Sequence, residues 1–142
     1  MPGTNLYLAK VSTIQEVQEQ FSGNFPFLKV NFFRNSENRV KATSHPVIFG
    51  PDTQLKQIQP KMADGELEIS ESMTVAALET AFFGQFGLSV QVLRKSGNLW
   101  LDTSRLNTWT LKEQNDHGRE ISAGHSARTV NIRGTSFRKN LG

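Results

Sequence analysis

The chain has 142 residues, a formal net charge of +3, no cysteine, and an apolar fraction of 37% that includes ten Phe. This suits one medium domain or two very small ones, and it excludes disulfides and thiolate metal sites outright. The longest apolar runs fall far short of a membrane span, and Met1-Pro2-Gly3-Thr4-Asn5 opens no basic-then-apolar secretory pattern, so a cytoplasmic protein without membrane attachment is expected.

In chain order, the first signal is a short alternating strand at Leu6 and Leu8, followed by Ser12-Thr13, whose side-chain oxygens suit a helix start. Ile14, Val17 and Phe21 then recur at helical spacing, Gly23 weakens the last turn, and Pro26 stops the helix. Leu28, Val30 and Phe32 follow with period two and predict a half-buried strand. A turn at Asn35-Ser36-Glu37-Asn38 and a return strand around Val40 complete a hairpin. The stretch His45 to Pro51 reads as a buried loop or short extra strand, and Asp52-Thr53-Gln54-Leu55-Lys56 as a short helix.

The same string then returns. At a shift of 61, Leu6 falls on Leu67, Leu8 on Ile69, Thr13 on Thr74, Val17 on Leu78, Phe21 on Phe82, Gly23 on Gly84 and Phe25 on Phe86. At a shift of 60, Leu28 falls on Leu88, Val30 on Val90, Arg34 on Arg94, Ser36 on Ser96 and Asn38 on Asn98. An ordered run of matches at one period marks an internal repeat. Three segments follow: a first α/β unit at 1–59, a second at 60–118, and a basic, flexible tail at 119–142. A unit of this size buries only a thin core, so the two are expected to pack on each other. The tail carries Arg119, Arg128, Arg133, Arg138 and Lys139 against Glu120 alone, whereas the rest of the chain is slightly acidic.

In the second unit a strand leads to Thr74-Val75, the helix ends in Phe86-Gly87-Leu88, and a hairpin follows. A short helical signal at Thr108-Trp109-Thr110-Leu111-Lys112, within the Thr-Leu segment Thr110-Leu111-Lys112-Glu113-Gln114-Asn115, closes the unit. This order resembles the β-grasp fold of ubiquitin-like proteins, and the first unit resembles it through Thr13-Ile14 and Asp52 to Leu55. The resemblance implies an α+β fold, a duplicated strand-helix-hairpin unit with a basic C-terminal tail. It departs where a β-grasp unit opens with a hairpin, because Met1 to Val11 has room for one strand only. Glu66 to Ser70 could serve as the last strand of the first unit, and either Arg119 to Ser122 or Thr129 to Arg133 as that of the second. Phe86-Gly87-Leu88 with Arg94-Lys95-Ser96-Gly97-Asn98 also resembles small uncharacterised bacterial proteins.

No residue set suggests catalysis. His45, His117 and His125 lack zinc spacing, no Gly-x-Ser-x-Gly surrounds Ser36, Ser96 or Ser104, and no cofactor or metal is expected. Glu66 and Glu68 share one strand face opposite Leu67 and Ile69, which reads as a solvated face. A contact surface is the better expectation. The second unit has Trp100 and Trp109 where the first has Val40 and Thr53, and Trp is common at binding hot spots. Arg94, Lys95, Asn98, Trp100 and Trp109 are therefore the expected contacts to a protein partner, although either Trp could instead fill the core. The alternative is sequence-independent nucleic-acid binding through Arg119, Arg128, Arg133, Arg138 and Lys139, steeply sensitive to salt.

Overall fold

The computed structural model describes residues 3–34 and 47–131, with side chains in the last helix described as far as position 123. The elements run β1 (Thr4–Leu8), α1 (Ile14–Asn24), β2 (Leu28–Arg34), β3 (Val47–Ile48), α2 (Leu55–Ile58) and β4 (Gly65–Ile69). They continue with α3 (Val75–Phe86), β5 (Ser89–Ser96), β6 (Leu99–Asp102), a single 3-10 turn (Ser104–Leu106) and α4 (Leu111–Asn131). The fold is mixed α+β with two antiparallel sheets, one of order β1-β4 and one of order β3-β2-β5-β6. The turn at Asn35 to Asn38, the return strand at Val40, and His45 lie outside the described residues.

The three longer helices start on threonine. The Glu16 N–H donates to Thr13 Oγ1 while the Thr13 N–H donates to Glu16 Oε1, a reciprocal box that satisfies two otherwise orphaned amides. The Ala77 N–H donates to Thr74 Oγ1 at the start of α3. Thr110 and Glu113 form a second reciprocal box at the start of α4. At the other end of α3, Gly87 turns left-handed at φ 70° and returns its N–H to Phe83 O.

Hydrogen bonds recur between the two halves. The Ile14 N–H donates to Thr53 O and the Val75 N–H to Trp109 O. The Leu55 N–H donates to Ser12 O and the Leu111 N–H to Met73 O; the Lys56 N–H reaches Lys10 O as the Lys112 N–H reaches Glu71 O. The isolated bridges Thr13–Gln54 and Thr74–Thr110 repeat in the same way.

The strands that the sequence assigns to separate units pair with one another. β1 pairs antiparallel with β4, placing Leu6 opposite Leu67, and β2 pairs antiparallel with β5, placing Asn31 opposite Gln91. In each ladder this central pair is also a matched pair of the sequence repeat, and the remaining pairs run outward from it in opposite directions. Each half therefore lends its strands to the other, and the expected packing of the pair takes this form. Glu66 to Ser70, a candidate closing strand for the first unit, falls on β4, which pairs with β1; Glu66 and Glu68 face outward while Leu67 and Ile69 are buried.

One core results. Leu6, Leu8, Leu67 and Ile69 from the small sheet meet Leu28, Val30, Phe32, Leu88, Val90 and Val92 from the large one. Ile14, Val17 and Phe21 of α1, with Val75, Leu78, Phe82 and Phe86 of α3, fill the space beside them. Phe32 and Phe82 cross the halves in an edge-to-face pair, with ring centroids 5.8 Å apart. α1 also shields the open side of β2: Gln18 Nε2 donates to Val30 O and Ser22 Oγ to Leu28 O, at 2.9 and 2.8 Å.

α4 runs through the 118/119 boundary, so positions 119–131 are helical and neither Arg119 to Ser122 nor Thr129 to Asn131 forms a strand. The reason is its inner face. Leu111 enters the core, Asn115 Oδ1 accepts the Phe27 N–H at 2.8 Å, and Ser122 Oγ accepts the Gly97 N–H at 3.2 Å. Outside, Asp116 bridges Lys112 and Arg119 one turn either way.

At Gly118 α4 lies close against the sheet. A Cβ there would stand 3.0 Å from Phe27 Cβ, 3.1 Å from Arg94 Cγ and 3.2 Å from the Lys95 carbonyl oxygen. Alanine is the better helix former by about 1 kcal/mol, but the Lys95 oxygen belongs to a strand and cannot yield alone. Gly118→Ala is therefore expected to lower stability by about 1 kcal/mol net through overpacking. Gly84 in α3 has open space around its Cβ position, so Gly84→Ala should raise stability by about 0.5–1 kcal/mol. Urea denaturation of the two variants should show midpoints moving in opposite directions.

Candidate functional site

The β5–β6 hairpin turns at Gly97-Asn98, where Gly97 takes φ 62°, a left-handed conformation that glycine adopts without strain. Lys95 stands opposite Trp100, and Leu93 opposite both Asp102 and Lys29. The Lys95 N–H donates to Phe27 O at 2.9 Å, so the peptide groups of Lys95 point toward β2. Lys95–Trp100 is then a non-hydrogen-bonded pair of the hairpin, and the N–H and C=O of Trp100 point away from β5. By the same alternation those of Asp102 do too. β6 is an edge strand among the described residues.

Side chains on this strand are unusual for an edge. Leu99 is 65% exposed, Leu101 40% and Trp100 38%. Trp100 lies on the outer sheet face, opposite in phase to buried Val90 and Val92, and Lys29 Nζ sits 5.5 Å from its ring centroid. Such a cation–π contact contributes about 0.5–1 kcal/mol at an exposed site. Lys29, Lys95, Trp100 and Asp102 thus share one outer patch, with exposed Asn98 at its end.

Of the five residues expected from sequence, Lys95, Asn98 and Trp100 come together here. Arg94 does not. It continues the inward phase of Val90 and Val92, is 9% exposed, and donates from Nη1 to Gln114 Oε1 at 2.8 Å. Gln114, fully buried, passes its own amide to Leu106 O at 2.9 Å. Arg94 Nε has no partner among the described residues, and burial pulls the guanidinium below its ordinary value. Trp109 is half-buried, edge-on to His117 at 5.5 Å between centroids, with its carbonyl bound to the start of α3. Arg94 thus ties β5 to α4 behind the outer patch, and Trp109 links the start of α3 to α4. Lys29, Asp102, Leu99 and Leu101 were not anticipated; strand phase alone places Lys29 outward, but its approach to Trp100 needs the pairing of β2 with β5.

Among the nucleic-acid candidates, Arg119 stacks 5.6 Å from the Phe27 ring and pairs with Asp116. Arg128 lies on α4, and Arg133, Arg138 and Lys139 lie outside the described residues. Among the described residues no group of three or more His, Asp or Glu could hold a metal ion, and no helix is long and apolar enough to cross a membrane.

A groove of about 520 Å³ runs between α3 and the large sheet, lined by Phe33, Glu79, Thr80, Phe83 and Val90 among others. Half-buried Glu79 holds its carboxyl above the ordinary value because burial penalises the charge; a hydrogen bond from the Val92 backbone opposes this and nearby Asp102 adds to it. The folded state therefore binds this proton more readily than the unfolded chain. Its contribution is full below the ordinary carboxylate range and is lost as pH rises through the shifted value. Glu79→Gln should raise Tm at about pH 8 and leave it unchanged at about pH 3, read by thermal unfolding at both.

Comparison with protein-family models, curated proteins and solved structures finds no match to this chain.

Proposed function

We propose that this chain is a non-catalytic protein-binding module of the cytoplasm, built from two copies of one ubiquitin-like unit that exchange strands. It presents the outer face and free edge of the β5–β6 hairpin to a protein partner. The observation that carries this reading is β6 itself. Natural edge strands are blunted by lysine, proline, bulges or a covering element. β6 instead offers Leu99, Trp100 and Leu101 on a strand with outward-facing peptide groups, and its one charge is Asp102. An edge of this kind favours addition of a strand from another chain, with backbone hydrogen bonds for affinity and side chains for selectivity. The recurring hydrogen bonds of the two halves support the duplication, and the cysteine-free composition fits a reducing compartment.

Capture of partner from cell extract by the immobilised full chain tests the reading. Trp100→Ala and Leu101→Lys are expected to lose the partner, while Phe83→Ala, an exposed aromatic on α3 rather than on β6, keeps it. Equal capture by a folded Leu101→Lys variant would remove the reading.

A further inference from the structure

We infer that the partner at β6 is a second copy of this chain, joined edge to edge so that two four-stranded sheets become one of eight; this rests on the reading of β6 as a protein-binding edge. The argument is self-complementarity. A two-fold axis normal to the sheet keeps the outer faces of both copies on the same side, so each residue must face one of equal phase. Four centres are open to β6, one per residue, and centring on Leu99 runs the ladder into the Gly97-Asn98 turn after a single flanking pair. Centring on Asp102 sets carboxylate against carboxylate. Centring on Trp100 brings the two Lys29 cations toward each other, since each stands over its own Trp100 ring.

Centring on Leu101 avoids all three. Trp100 then faces Asp102 of the second copy, and Asp102 faces its Trp100. The outward N–H and C=O groups of these residues form four backbone hydrogen bonds, the alternation an antiparallel ladder requires. Each Asp102 carboxylate lies beside a foreign Trp100 already flanked by Lys29 and Lys95. The Asp102 carboxylate accepts from the N–H and Oγ of Ser104 at 2.9 and 3.2 Å, but no ion pair engages Asp102, Lys29 or Lys95 within one copy among the described residues. On the opposite face the two Leu101 side chains meet across the axis at the closest spacing a ladder offers, with exposed Leu99 alongside. Charge and apolar surface are thus matched in a single register.

The absence of cysteine makes the register directly testable. Residues facing one another in a non-hydrogen-bonded pair have Cβ atoms about 4.5–5.5 Å apart, close enough for a disulfide after slight adjustment. Leu101→Cys is expected to cross-link into a covalent dimer under mild oxidation, whereas Leu99→Cys and Phe83→Cys stay largely uncrosslinked. Sedimentation equilibrium of the full chain from about 10 µM to about 1 mM, spanning micromolar to millimolar constants, should show a reversible dimer. Asp102→Lys and Leu101→Lys should weaken it at least tenfold, and Asp102→Lys should be rescued by adding Lys29→Glu and Lys95→Glu.

A chain that stays monomeric throughout that range overturns self-pairing, as does a dimer indifferent to Leu101→Lys and Asp102→Lys. In either case the broader reading is judged separately, by whether Leu101→Lys loses a captured partner of different sequence. Cross-linking that favours Leu99→Cys over Leu101→Cys overturns the register and with it the inference.

Discussion

Phe82→Ala is expected to cost about 3–5 kcal/mol of folding free energy, the usual range for truncating a buried phenylalanine. Total stabilities are only about 5–15 kcal/mol, so the variant should be near or past unfolding at physiological temperature. Phe82 has no exposed surface and meets Phe32 edge-on across the two halves. Phe21→Ala, at the matching position of α1, should lose a similar amount. Both losses should appear in one cooperative urea transition probed by tryptophan fluorescence, because the only two tryptophans, Trp100 and Trp109, lie in the second half. If the halves were separate folding units, Phe21→Ala would leave the fluorescence transition unmoved. A double-mutant cycle on Phe32 and Phe82 should return a coupling of about 0.5–1.5 kcal/mol, typical of aromatic pairs.

The second large effect concerns Arg94. Its guanidinium is buried under α4, and Gln114 Oε1 is its side-chain acceptor. Gln114→Leu leaves that charge without an acceptor and strips Leu106 O of its donor. Stranding a buried charged donor costs more than a neutral one, so a loss of about 3 kcal/mol is expected. Replacing both partners by apolar groups of similar volume often restores stability. Arg94→Met added to Gln114→Leu should therefore recover most of the loss, and thermal unfolding of the four chains reads the cycle. Arg94→Met that fails to rescue Gln114→Leu would mean that the charge is not what Gln114 serves.

How much of this was legible depends on what each pattern encodes. Thr13 and Thr74 ahead of Ile14, Val17, Phe21 and Val75, Leu78, Phe82 announce two helices, because capping and a 3.6-residue period are local properties. Ser96-Gly97-Asn98 between alternating runs announces the β5–β6 hairpin for the same reason. Strand neighbours are another matter. Alternation in Leu28, Val30 and Phe32 says which face is buried and nothing about which strand lies beside it, so the pairing of β2 with β5 stayed hidden, whereas that of β1 with Glu66 to Ser70 was open to the β-grasp resemblance. α4 was missed beyond its first turn because its inner face is made by Gln114, Asn115, Gly118 and Ser122. They dock through hydrogen bonds and close approach, and a search for apolar periodicity passes over them.

At the candidate site, Trp100 is readable as opposite in phase to Leu99 and Leu101, and the structure places it outward. Arg94 was misplaced as a surface contact by its charge, although its parity with Val90 and Val92 already put it inside. Lys29 lies 71 positions from Trp100 in the chain, and only the β2–β5 ladder brings them together.

The most direct test of the account is whether the two halves share their strands in solution. Val30 O accepts from Gln18, so Val30 faces away from β5 and forms a non-hydrogen-bonded pair with Val92, with Cα atoms about 4.5 Å apart. A strong Hα–Hα nuclear Overhauser cross-peak between Val30 and Val92 is predicted. Its absence, with Val30 Hα contacting only protons of residues before 60, would contradict the shared core and the hairpin surface that depends on it.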